Sequence, residues 1–260
     1  MTDDDVPPFP AERTAVVTGG ASDRGIGRAL VRRLAAGGWA VAVLDLDGDR
    51  AGSLASAVAG EHGVAALGLA VDVADERAVD EAIGRVEREL PPVVGLANAA
   101  GISDPTPFLD LTLSRWEEVL RTNATGTFVV TRRVAPGMVE RGLGRIVTFS
   151  STAAQNGGGN YSKSSYAASK GAIEGMSRAA ALELAPHGVT VNVIAPATID
   201  TDIMGGPITH ERLPGFVRSL PVGRVGRTEE VAALVEHLLG PEAGYITGAT
   251  YNINGGLRIG

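Results

Sequence analysis

The stretch Thr14-Ala15-Val16-Val17-Thr18-Gly19-Gly20-Ala21-Ser22-Asp23-Arg24-Gly25-Ile26-Gly27 decides the fold. Its opening run has no polar alternation, the mark of a strand buried on both faces of a parallel sheet. A glycine-rich turn follows, and the next residues place Ile26, Leu30 and Leu34 on one helical stripe. Strand, glycine turn and helix in this order predict a helix N-terminus whose free N–H groups receive a pyrophosphate. Taken alone, the glycines fit a plain loop equally well. Asp45 adds a second feature. It follows the next apolar run, 20 residues after Gly25, where an acid binds the hydroxyls of an adenosine ribose. The competing reading of Asp45 is a cap for the helix that follows it.

Outward from this start the rhythm persists. Strand-like runs at 14–18, 40–44, 66–71, 93–97, 145–149, 190–194 and 249–253 alternate with amphipathic stretches at 26–36, 75–90, 114–141, 164–185 and 228–239. Such alternation predicts right-handed crossovers and a doubly wound parallel α/β sheet, with ligands beyond the carboxyl ends of the strands. Residues 199–221, with Gly205-Gly206-Pro207 and Pro214-Gly215, break the rhythm and read as a flap over the site.

Composition closes off other classes. The 260 residues suit one domain, 13–260, behind a flexible, acidic, proline-rich tail at 1–12. The absence of cysteine excludes disulfide and thiolate–zinc frameworks, and a net charge of −7 gives no basic footprint for nucleic acid or an anionic membrane. No apolar run reaches the roughly 18 residues of a bilayer span, so the expected location is the cytoplasm. The four histidines have no metal-ligand spacing, and no metal site is expected.

Tyr166 and Lys170 share a face of one predicted helix through their i, i+4 spacing. A cation within about 4–6 Å lowers the pKa of a neighbouring group by about 1–3 units, which would bring a phenol into a useful acid–base range. The bland alternative is a pair of surface residues. Around this pair, Ser150-Ser151 end a strand, Asn98-Ala99-Ala100-Gly101 follow another, and Asn123 sits mid-helix, where Asn needs a polar reason.

In this order and spacing, across 14–256, these motifs resemble the short-chain dehydrogenase/reductase family, near 3-oxoacyl-acyl-carrier-protein reductases and secondary alcohol dehydrogenases in pattern. The resemblance implies a Rossmann-type, seven-stranded parallel sheet and a homotetramer. Tyr166 would be the general acid/base and Lys170 would lower its pKa and bind the nicotinamide ribose. Ser151 would polarise the substrate carbonyl, with Ser150 as the outside candidate, and Asn123 would hold a relay water. Gly19, Ser22, Asp23, Arg24, Gly25, Ile26 and Gly27 would cradle the dinucleotide, with Asp45 and Leu46 at the adenosine. Asp72 and Val73 would meet the adenine, Asn98, Ala99, Ala100 and Gly101 would line the cofactor, and Pro196, Ile199 and Thr201 would hold its carboxamide. Tyr161 is a decoy, since Ser165 rather than Lys stands four residues on.

Two departures matter. Five residues separate Gly19 from Gly25, two more than the family's usual three, which would project Asp23-Arg24 towards the adenosine. Ser151 precedes Tyr166 by fifteen positions, two more than usual, enlarging the glycine-rich loop at 155–160. The resulting expectation is an oxidoreductase interconverting a secondary alcohol and a ketone with NAD, chosen over NADP because Asp45 repels a 2′-phosphate while Arg24 pulls the other way. The alternatives are an NADPH-dependent 3-oxoacyl-thioester reductase and, from another class, a catalytically silent dinucleotide-binding sensor or scaffold.

Overall fold

Seven parallel strands hydrogen-bond in the order β3-β2-β1-β4-β5-β6-β7 in the computed structural model, which describes residues 7–259. The strands are β1 (Thr14–Thr18), β2 (Ala40–Asp45), β3 (Ala66–Ala70), β4 (Val93–Asn98), β5 (Gly144–Phe149), β6 (Val189–Pro196) and β7 (Thr250–Ile253). Every position of β1, β4, β5 and β6 is buried, as their unalternating sequences require. Helices α1 (Ile26–Ala36), α2 (Gly48–His62) and α9 (Thr228–Leu239) cover one face through Leu30, Leu54 and Val235. Helices α3 (Glu76–Glu89), α5 (Gly126–Arg141) and α7 (Ser164–Leu184) cover the other through Ile83, Met138 and Ala181. Small Ala and Val side chains fill both layers, so the helices lie close to the sheet.

From β1 the chain winds outward to β3, then returns to β4 and winds the other way. The carboxyl ends of β1 and β4 therefore diverge into two connections, and a crevice opens between them.

Two local expectations differ from the structure. The helix expected at 114–141 is α4 (Leu113–Leu120) and α5 joined by a π-helical turn, Arg121–Thr125. Asn123 sits in that turn, and its inward amide bonds explain the extra residue. Residues 7–12 of the expected tail are not free: Phe9 packs edge-on to Trp39 at 5.9 Å, and the Arg13 guanidinium lies 4.6 Å over the Trp39 ring. One aromatic side chain outweighs the proline-rich composition around it, while residues 1–6 lie outside the described residues. Short helices flank the site: α6 (Ala153–Asn156) after β5 and, within 199–221, a 3-10 turn, Asp202–Met204, and α8 (Leu213–Val217). Among the described residues no helix is long and apolar enough to cross a membrane.

Candidate active site

The crevice holds a cavity of about 760 Å³ whose floor is the glycine turn after β1. Gly19 has φ +69°, and a Cβ there would lie 2.6 Å from the Ala100 Cα. At Gly27 a Cβ would lie 2.4 Å from the Gly19 carbonyl oxygen, so only glycine lets the first turn of α1 pack against the loop. That helix starts at Gly25 with no side-chain cap and no acid in its first turn, leaving its leading N–H groups for an anion. Gly19, Ser22, Gly25, Ile26 and Gly27 all line the cavity. These features fit a dinucleotide.

Asp45 lines the same cavity beside Leu46. Its carboxylate accepts hydrogen bonds from Ala21 N–H at 2.9 Å and from Asp47 N–H at 3.2 Å. It caps nothing: the N-cap of α2 is Asp47, which accepts from Arg50 N–H at 3.0 Å. Asp72, Val73, Ala99, Ala100, Gly101 and Thr201 also line the cavity, as does Arg50. The Asp72 carboxylate is shared between Ala74 N–H at 2.9 Å and the Arg121 guanidinium at 2.6 Å.

Three residues expected at the cofactor lie elsewhere. Arg24 does not reach the adenosine side; its guanidinium pairs with Asp200, and its Nε lies 3.8 Å from Asp202. Ser22 Oγ donates to the same Asp202 at 2.8 Å, so the longer glycine loop is tied to the segment after β6. Asp23 points outward, with Arg28 at 3.3 Å and Arg50 at 3.9 Å. Asn98 is buried and donates to Thr131 Oγ1 at 3.0 Å, on the helix side of the sheet rather than in the cavity.

A second cavity, of about 400 Å³, adjoins the first at Ile26, Ala99, Gly101 and Thr201. Ser151, Tyr166 and Lys170 face it, as do Pro196 and Ile199. Ser151 Oγ donates to the Pro196 carbonyl at 3.5 Å and accepts Ala153 N–H at 3.2 Å, close enough to the Tyr166 phenol to lower its pKa. Ser150 does not compete for that place, because it is buried and its Oγ donates to Glu174 Oε1 at 2.8 Å. Lys170 Nζ donates to the Phe149 carbonyl at 2.7 Å and would lie 3.6 Å from a Cβ on Gly101. Asn123 is fully buried. Its Oδ1 accepts Ile102 N–H at 2.8 Å, and its Nδ2 donates to the Ile102 carbonyl at 3.0 Å and to Ser169 Oγ at 2.9 Å. Both amide hydrogens are thereby used, while the Asn123 main-chain carbonyl accepts from Thr127 Oγ1 at 2.6 Å.

Burial governs the electrostatics of this cluster. It pushes the Tyr166 phenol up to about 12, against a smaller lowering by Ser151. Burial also brings the Lys170 ammonium down to about 8. The expected lowering of the phenol by the lysine is overridden here, since Nζ lies 5.5 Å from the ring centroid and is turned to Phe149.

Several residues of the site escape a reading by motif. Asp202 meets the glycine loop from 180 positions away. Tyr161 stacks on Phe216 at 5.1 Å, with the Arg212 guanidinium 5.2 Å above the tyrosine ring, and all three line the smaller cavity. Asp104 and Glu174 are carboxylates packed close behind the cluster. None of these carries a local signal, because each partner is distant in sequence.

A dinucleotide-shaped cradle joined to a Ser–Tyr–Lys cluster defines an NAD(P)-dependent oxidoreductase acting on CH–OH and keto groups. A family profile described as Enoyl-(Acyl carrier protein) reductase matches residues 19–258. The chain is 37% identical over 245 residues to the 3-oxoacyl-[acyl-carrier-protein] reductase FabG of Aquifex aeolicus, covering 94% of this chain and 97% of that protein. It is 38% identical over 247 residues to the acetoacetyl-CoA reductase of Shinella zoogloeoides, covering 94% and 98%. It is also 40% identical over 253 residues to the short-chain reductase protein NovJ of Streptomyces niveus, covering 94% of each. The chain belongs to the short-chain dehydrogenase/reductase family.

Proposed function

We propose that this protein reduces the keto group of a 3-oxoacyl thioester to a hydroxyl, with NADH as the reductant. The observation that carries the reading is geometric: Ser151, Tyr166 and Lys170 line a cavity that adjoins the dinucleotide cavity at Ala99 and Gly101. Burial raises the phenol's pKa, so Tyr166 holds its proton at physiological pH and can give it to a carbonyl oxygen. The names of two of the relatives, a 3-oxoacyl and an acetoacetyl thioester reductase, favour this reading over general interconversion of secondary alcohols and ketones.

NADH, when bound, supplies a hydride to the carbonyl carbon. Ser151 hydrogen-bonds the carbonyl oxygen and sets it beside Tyr166. Tyr166 transfers its proton to that oxygen as the C–O double bond becomes single, giving the 3-hydroxyacyl thioester. The Lys170 ammonium stabilises the phenolate left behind and binds the nicotinamide ribose. Asn123 ties the segment carrying Ile102 to the catalytic helix. The leading N–H groups of α1 hold the pyrophosphate. Pro196, Ile199 and Thr201 line the nicotinamide end, and 199–221 forms the flap over the substrate.

The choice of NADH rests on Asp45. Two backbone N–H groups fix its carboxylate, so it cannot swing away from a 2′-phosphate, and Arg24 is held on Asp200. The test is turnover of acetoacetyl-CoA with NADH and with NADPH, followed by loss of reduced-nucleotide absorbance. A protein that ignores acetoacetyl-CoA yet oxidises simple secondary alcohols with NAD would overturn the thioester assignment.

A further inference from the structure

We infer that Asp104 is a positioning residue for Tyr166, acting through Ser165. Asp104 is 1% exposed, and the chemistry above does not use it. Its carboxylate accepts from Ser165 Oγ at 2.5 Å, from Thr106 Oγ1 at 2.8 Å and from Arg115 Nε at 3.3 Å. Its main-chain carbonyl accepts Lys163 N–H at 2.9 Å, immediately before α7. A buried carboxylate with this many donors is costly to move, since any shift leaves charge or polar groups unpaired.

The first turn of α7 depends on this tie. Its N-cap, Lys163, makes no side-chain cap, and the Ser164 hydroxyl is buried without a partner among the described residues. Ser165, fully buried, is the side chain that fastens the turn to the rest of the protein. One turn later Ser169 donates to the Tyr166 carbonyl at 2.7 Å and accepts from Asn123. Tyr166 is thus clamped from both sides, and both clamps lead to the segment 101–106: Asp104 itself, and Ile102 through Asn123. The same segment lines the dinucleotide cavity at Gly101, Ile102 and Ser103. Asp104 therefore sets the register between the phenol and the cofactor floor, where a displacement of about 1 Å costs on the order of 10²-fold in rate.

This inference rests on the reductase reading, and its test separates the two. Ser165→Ala removes the tie while leaving the other donors to Asp104 in place, and Ser165→Thr restores a hydroxyl. Rates are measured on acetoacetyl-CoA or, if the wild type refuses that compound, on a ketone that the wild type does reduce. Refusal would count against the thioester reading alone. Expected for Ser165→Ala is a loss of at least about tenfold in kcat, with the Kd for NADH within about twofold, and recovery of most of the loss in Ser165→Thr. Adding Asp104→Asn to Ser165→Ala brings little further loss of kcat, because both act on Tyr166 through one tie, although losing the charge that Arg115 pairs with lowers stability further. A kcat within twofold of wild type, or a loss matched by weaker NADH binding, overturns the inference. So does a crystal structure of Ser165→Ala in which Tyr166 keeps its place beside Ser151, whatever the kinetics.

Discussion

The ammonium of Lys170 donates its 2.7 Å hydrogen bond to the carbonyl of Phe149, the last residue of β5, and not to the phenol of Tyr166. The sheet therefore fixes the lysine, and the helix that carries both residues presents the tyrosine beside it. Burial acts on the two in opposite directions, raising the phenol and lowering the ammonium. Each is kept closer to its neutral form than in water. A site of this kind stores instability that only catalysis makes useful.

Lys170→Met should accordingly stabilise the fold at neutral pH while destroying activity. The folded-state pKa, near 8, lies below the ordinary lysine value, so below pH 8 the folded state bears the cost of a buried ammonium. Between that value and about 10.4 the unfolded chain holds the proton that the folded one has released, so wild-type stability gains with pH through this group. The variant should be more stable by about 1–3 kcal/mol at pH 7, allowing for the lost bond to Phe149, and the advantage should fade by about pH 10. Urea unfolding at both pH values checks this. An advantage of equal size at both would contradict the assigned cause.

Tyr166→Phe removes the proton donor and little else. Turnover should fall at least about 10²-fold, the ordinary contribution of a positioned acid. NADH should bind within about threefold of wild type, since the ring is retained. Near-normal turnover in this variant would sink the proposed chemistry.

The pH profile of kcat/KM for reduction should be flat through neutrality and fall with an apparent midpoint near 8. In the free enzyme the phenol stays protonated to about 12, so the group that loses its charge first is Lys170. Lys170→Arg should move the falling limb upward. A limb that stays where it was in that variant assigns the titration to another group.

Much of this was legible in the sequence. β1 and α1 lie at their expected bounds, because a buried apolar run and a 3.6-residue stripe are local signals. The glycine cradle and the Ser151–Tyr166–Lys170 grouping follow from topology, since each motif ends a strand or opens a helix at the same edge of the sheet. What could not be read were partners set by tertiary contact. Arg24 looks free for a phosphate until Asp200 and Asp202 arrive from beyond β6. Asn98 looks like a cofactor contact until Thr131 claims it from α5. The phenol's pKa escapes the sequence for a related reason: spacing gives the lysine's proximity, but desolvation depends on everything packed around both groups.

Asp45→Ala should shift cofactor choice towards NADPH. The substitution removes a fixed negative charge from the ribose end of the cavity and also removes hydrogen-bond acceptors for the hydroxyls. NADH should weaken by about tenfold, while NADPH should bind the same or more tightly. Paired fluorescence titrations measure both. Unchanged preference would mean that discrimination lies in other residues of the cavity.

The adjacent serines separate structure from chemistry. Ser150 is 3% exposed and donates to Glu174, a carboxylate 14% exposed whose charged partner, Arg178, is 3.6 Å away. Ser150→Ala leaves that carboxylate short of a donor, and the expected loss is about 1–3 kcal/mol of stability with kcat within about threefold of wild type. Ser151 faces the cavity beside the Tyr166 phenol, whose pKa it lowers. Ser151→Ala removes the group that aligns the carbonyl with its acid, so kcat should fall about 10²-fold while stability changes by less than about 1 kcal/mol. Unfolding curves and turnover measured on both variants test the division of labour. Equal losses of turnover would mean that the strand end acts as a unit, and that the fifteen-residue separation between Ser151 and Tyr166 does not single out one hydroxyl.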